Sequence, residues 1–95
     1  MAAYVVVDIE VTDTVAFDEY RKAVPATIAK YGGRYIVRGG KSETLEGGWD
    51  PQRLVILEFP NVEAVKRWYG SDEYRPLLDV RLKASKGSLV LVEGV

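Results

Sequence analysis

Two carboxylates and an arginine fall on strand-like stretches of this chain: Asp8 in "YVVVDIEV", Glu58 in "RLVILEF" and Arg34 in "GGRYIVRGG". On one sheet face they could bind a polar ligand, or let one carboxyl keep a raised pKa for proton transfer. They could equally neutralise one another across an interface, and this structural reading is preferred. A second set is aromatic and cationic: Tyr20, Tyr31, Trp68, Tyr69 and Tyr74, with Arg21, Arg38 and Arg75. Phenols and guanidinium groups in a cleft between helices and sheet would orient an aromatic or carboxylate substrate. Aromatics at helical spacing are more often core, so only a hydroxyl or guanidinium that points into a cavity becomes a ligand. The catalytic candidates are therefore Asp8, Glu58, Arg34 and Tyr20, and the ligand-binding candidates are Arg38, Trp49, Trp68, Tyr69 and Tyr74.

Trp49 sits in "LEGGWDP", inside a long loop, where a solvated indole is costly. It is expected to close over a partner protomer or a pocket mouth. Glu46 and Asp50 could act at such a mouth, although turn chemistry explains an aspartate before Pro51 equally well.

The glycine pairs of "YGGRYIVRGG" invite a phosphate-binding reading, which fails on order. An anion loop needs glycines between a strand and a following helix, whereas Gly32 and Gly33 follow a helix. Gly39 and Gly40 end a strand with no helix start behind them, so both pairs read as turn residues.

Composition narrows the chemistry further. The chain has no histidine and no cysteine, which excludes Ser-His-Asp catalysis, histidine-ligated zinc, disulfides and thiolate chemistry. No metal and no cofactor is expected, and proton work is left to carboxylates, tyrosine and lysine. Thirteen basic and 14 acidic residues give a net charge of -1, without the basic footprint of a nucleic-acid or membrane-surface protein. "MAAYVVVDIEV" lacks a basic leader and falls short of the ~20 apolar residues of a membrane span. A cytoplasmic location is expected.

The elements that position these residues follow from pattern. Residues 4 to 11 form a first strand. Asp13 caps a helix whose stripe is Phe17, Tyr20, Val24, Ile28 and Tyr31. Pro25 predicts a kink or a break near Ala23 and Val24, and Gly32 ends the helix. Arg34 to Arg38 and Arg53 to Phe59 are the second and third strands, separated by a loop too long for a tight hairpin. Asn61 caps a helix carrying Val62, Val65, Trp68 and Tyr69. Ser71 caps a further helix through Ala84, with Tyr74, Leu78 and Leu82 on its stripe and Pro76 in its first turns. Gly87 opens the fourth strand. The order β-α-β-β-α-β predicts one α+β domain over residues 1–95, ferredoxin-like, with a four-stranded antiparallel sheet and its helices on one face.

Strand parity assigns the faces. One phase holds Val5, Val7, Ile9, Tyr35, Val37, Val55, Leu57, Phe59, Val90 and Val92, and is expected to pack under the helices. The other holds Tyr4, Val6, Asp8, Glu10, Arg34, Ile36, Arg38, Leu54, Ile56, Glu58, Leu89, Leu91 and Glu93. That face is half apolar, and leaving it in water would expose an interaction patch. A homodimer through the sheet face is therefore expected. With strands one and three taken as parallel and central, and strand two antiparallel beside three, Asp8, Glu58 and Arg34 would share one end of it.

The stretches "DEYRKAVPATIAKYGGRYIVRGG", "LEGGWDPQRLVILEFPNVEAVKRWYGSDEYRPL" and "VLVEGV" resemble the small bacterial proteins of domain-of-unknown-function family 1330 (DUF1330). The resemblance covers nearly the whole chain and implies a dimeric α/β barrel built from ferredoxin-like protomers. The wider superfamily, similar at fold level only, includes cofactor-independent monooxygenases, muconolactone isomerases and heme-handling enzymes. The missing histidine argues against heme ligation by the usual residue. Two function classes stay open: a metal-independent enzyme or binder of a small organic acid or aromatic metabolite, and a non-catalytic accessory or stress-associated dimer whose charges are structural. An enclosed pocket with convergent polar groups would favour the first.

Overall fold

A computed structural model describes residues 1–95. The elements run β1 (Ala3–Val11), α1 (Thr14–Lys30), β2 (Arg34–Arg38), β3 (Leu54–Phe59), α2 (Val62–Tyr69), α3 (Arg75–Ala84) and β4 (Ser85–Glu93). The sheet order is β2-β3-β1-β4, with every pairing antiparallel. This is the expected α+β, ferredoxin-like arrangement, with one correction: β1 and β3 run antiparallel, not parallel. A helical crossover returns β2 in the direction of β1, and β3 comes back through the gap between them in the opposite sense.

The helix ends are where the sequence puts them. The Asp13 side chain accepts from the Ala16 N–H at 3.1 Å, and Asn61 accepts from the Ala64 N–H at 2.8 Å. Gly32 N–H donates to Ala29 O and Gly33 N–H to Ile28 O, each at 3.0 Å, the paired bonds of a Schellman end. Pro25, however, neither breaks nor ends α1, which is continuous through it. Proline costs roughly 3 kcal/mol inside a helix. Phe17 and Val24 before it and Ile28 after it are all buried. Each contributes about 1.5–3 kcal/mol, so the tertiary term wins.

α3 begins at Arg75, after a turn in which the Ser71 hydroxyl donates to Trp68 O (2.7 Å) and accepts from Tyr74 N–H (3.1 Å). Its buried residues are Arg81 and Ala84, whereas Leu82 is 60% exposed, against the expected stripe. β4 starts at Ser85, and Gly87 lies inside it opposite Ile9. With φ at +148°, a Cβ at Gly87 would overlap the Asp8 carbonyl oxygen and lie 2.8 Å from Ile9 Cα, so only glycine fits.

That register fixes the faces. Leu89 pairs with Val7 and Leu91 with Val5, so both leucines turn toward the helices. Val90 and Val92, 55% and 47% exposed, occupy the open side, which reverses the parity expected for β4. In β2 the ladder shifts between Tyr35, opposite Leu57, and Val37, opposite Ile56, leaving Ile36 as an extra residue. This β-bulge brings Arg38 opposite Val55, on the helix side. Arg34 and Arg38 therefore do not share a face.

The core lies between the sheet and the helices, with Trp68, Tyr74, Phe59 and Val5 almost wholly buried. The Trp68 and Tyr74 rings sit 4.2 Å apart between centroids, and Phe59 meets Trp68 at 5.4 Å. The Trp68 N–H donates to Thr27 Oγ1 (3.1 Å), which donates to Val24 O (2.8 Å), so this buried indole has its partner. No helix is long and apolar enough to cross a membrane.

Candidate functional site

The antiparallel register separates the expected carboxylate pair. Glu58 lies opposite Tyr4 and Arg34, while Asp8 lies at the far end of β1 opposite Leu54. Arg34 Nε donates to Glu58 Oε1 at 2.7 Å and the Tyr4 hydroxyl to Oε2 at 3.2 Å. The Arg34 guanidinium, with the Tyr4 bond adding to it, holds Glu58 below the usual carboxylate range.

Asp8 instead fastens the long loop. Its Oδ2 accepts from Trp49 Nε1 at 2.8 Å, and its Oδ1 from the backbone N–H of Gln52 (2.9 Å) and Arg53 (3.4 Å). The Trp49 bond is the largest cause that lowers the Asp8 pKa. Both carboxyls move opposite to the raised value that proton donation near neutrality requires. Trp49, 58% exposed, rests beside the open sheet face and does not line the helix-side cavity.

That cavity, about 50 Å³, lies between helices and sheet. Val7, Val55, Leu57 and Leu89 form its floor, with Phe17, Val24 and Ile28 above. Four arginines line it, the exposed Arg21 and Arg38, the half-buried Arg53 and the buried Arg81, and no carboxylate does. Arg21 has Asp18 at 3.7 Å on the surface, but Arg38, Arg53 and Arg81 have no carboxylate within 4.0 Å.

Arg81 is 7% exposed, and its Nε donates to the Tyr74 hydroxyl at 3.3 Å. The Tyr74 and Tyr20 hydroxyls are 2.9 Å apart. Burial, followed by the Tyr74 neighbour, pushes the Tyr20 phenol up, so it stays protonated. Arg38 stacks over the Tyr35 ring, 4.4 Å from guanidinium carbon to centroid. Burial also raises Tyr35, against the opposing charge of Arg38. Arg53 Nε is buried with no hydrogen-bond partner. Its guanidinium lies against Gly39, where a Cβ would be 2.9 Å from Nη1.

Of the residues singled out from sequence, Tyr20, Arg21, Arg38 and Trp68 line the cavity, with Tyr74 directly behind Tyr20. Tyr69 is 40% exposed, and the Tyr31 hydroxyl donates to Glu73 at 3.0 Å. Glu73 is also bonded to Lys30, which ties α1 to the turn before α3. Tyr35, Arg53 and Arg81 were missed. Arg53 shares its strand parity with Val55, Leu57 and Phe59, and Arg81 is seven residues beyond Tyr74 and three beyond Leu78. Both signals were present in the sequence.

No curated protein matches the chain. The chain is similar in structure to RPA0582, a protein of unknown function from Rhodopseudomonas palustris, with a TM-score of 0.79 at 16% identity over 99% of this chain and 82% of that one. SnoaB, a cofactor-independent oxygenase from Streptomyces nogalater, superposes with a TM-score of 0.65 at 14% identity, covering 99% of this chain and 93% of its own. A dimeric ferredoxin-like protein of unknown function from Jannaschia sp. CCS1 gives 0.65 at 15% identity, over 99% and 100%. At these identities the likeness is one of fold. The family model for the domain of unknown function DUF1330 matches residues 2–95, almost end to end, and the chain belongs to that family.

Proposed function

We propose that the protein is a homodimer that holds a small organic acid in the cavity between helices and sheet. The observation that carries this reading is the group of Arg38, Arg53 and Arg81 around an apolar space with no carboxylate to neutralise them. Of the three, Arg81 is buried and Arg53 half-buried, and a buried guanidinium without a counter-charge carries a cost that a bound anion removes. Size selects within the class. A space of about 50 Å³ favours the shortest acids over a larger metabolite. The cofactor-independent oxygenase SnoaB illustrates that this fold can carry chemistry on protein side chains alone, an analogy of fold only. The alternative of an accessory dimer with purely structural charges accounts for Arg34 with Glu58, but not for Arg81.

The second protomer is proposed to cover the open sheet face. Val6, Ile36, Val37, Leu54, Ile56, Val90 and Val92 form an apolar band there. The chain is a plate 37 × 35 × 16 Å in extent and exposes 6173 Å². A compact monomer of this mass exposes about 5,500 Å². The excess is close to the ~800 Å² that each partner buries in a standard interface. The Jannaschia protein of the same fold is dimeric, which supports a dimer here.

Calorimetric titration with acetate and propionate tests the cavity. Binding by the wild type, weakened at least tenfold in Arg53→Met and Arg81→Met, is the expected result. Binding that survives both substitutions would place the anion elsewhere.

A further inference from the structure

The polar groups of the cavity have a direction. Arg81 Nε–H can only donate, so at 3.3 Å the Tyr74 oxygen accepts. Tyr74 is completely buried, and its hydroxyl has just one other neighbour, the Tyr20 oxygen at 2.9 Å. If Tyr20 donated to Tyr74, the Tyr74 proton would be left in the core without an acceptor, which is unfavourable. The satisfied arrangement runs Arg81 to Tyr74 to Tyr20. Tyr20 then accepts from Tyr74, and its own O–H is free. Tyr20 lines the cavity and Tyr74 does not, so the free proton belongs to the cavity. A donor fed from a guanidinium is polarised and stronger than an isolated phenol.

We propose that Tyr20 is the residue that reads an uncharged acceptor oxygen of the ligand, so that the cavity selects a short-chain 2-oxo acid over the plain acid of the same length. The inference rests on the reading of the cavity as an anion site. The guanidinium of Arg53, whose Nε has no partner, takes the carboxylate together with Arg38, and Tyr20 donates to the carbonyl oxygen. Apart from the tyrosine oxygens, the lining side chains donate hydrogen bonds or are apolar. A ligand hydroxyl therefore gains less than a carbonyl, and a ligand ammonium would face guanidinium groups.

Titration of the wild type with pyruvate, lactate and propionate tests this without any variant. Pyruvate is expected to bind at least tenfold tighter than propionate, with lactate close to propionate. In Tyr20→Phe the pyruvate advantage should vanish while propionate affinity stays within about twofold, and Tyr74→Phe should reduce the advantage in part. Equal wild-type affinity for pyruvate and propionate overturns the role of Tyr20 and leaves the anion site standing. Equal losses for both acids in Tyr20→Phe also overturn it, because the phenol would then be a carboxylate contact. Failure of all three acids to bind overturns the anion site and this inference with it.

Discussion

Arg81 is a charge held against the interest of the fold. Its charge is buried, and its one hydrogen bond goes to a neutral phenol. Replacing such a group with an apolar residue of similar length is often neutral or stabilising. Arg81→Met in the ligand-free protein should therefore melt no lower than the wild type while losing acid binding, a pair of results that calorimetry and thermal melting read separately. Glu73 has the opposite character. Lys30 chiefly, with Tyr31 adding, lowers it from 4.5 to about 2. A depressed carboxylate stabilises the fold above its unfolded value, and that contribution is lost as pH falls toward the folded one. Stability should decline between about pH 5 and pH 2. Melting curves of Glu73→Gln should show a flatter acid limb and a lower melting temperature at pH 7. Residue types announced which groups were present, but not their partners. Asp8 and Glu58 read as a pair because strand sense was misjudged, and the separation of their hydrogen bonds is a property of register alone.

Among the elements, caps were legible and pairing was not. Asp13, Asn61 and the Gly32–Gly33 stop act through contacts a few residues away, which local sequence contains. The two faces of β4 were not distinguishable, since "LVLV" is apolar in both phases and only the Gly87–Ile9 register decides which side is core. Gly87→Ala is correspondingly expected to destabilise the chain by about 2–4 kcal/mol in denaturant titration, through collision with the β1 backbone. The loop between β2 and β3 depends on Asp8. Asp8→Ala removes the acceptor for the Gln52 and Arg53 amides, and hydrogen exchange at Gln52 should quicken markedly while that of the β1 core residues stays slow.

At the scale of the whole molecule, one layer of helices on one sheet leaves half of the sheet surface without a partner. The apolar band on that side survived the correction of β4, because Val90 and Val92 replaced Leu89 and Leu91 in it. Parity thus identified an apolar band more securely than its members. A lysine in the middle of the band, at Ile56 or Val90, should convert a dimer into a folded monomer in sedimentation at micromolar concentration; a wild type that sediments as a monomer would remove the dimer itself. Acid binding should persist in the monomer, since the cavity lies on the helix side of the sheet, away from the band. The extra residue at Ile36 has a further effect, on how this strand tolerates changes of length. Tyr35 with Leu57, Val37 with Ile56 and Arg38 with Val55 are already in step without it. Deleting Ile36 would thus straighten the ladder and leave Arg34 and Arg38 on opposite faces. Deleting Leu57 from the facing strand would shift the frame and exchange the two sides. Strand length, as much as composition, divides this protein's arginines between the open side of the sheet and the cavity under the helices.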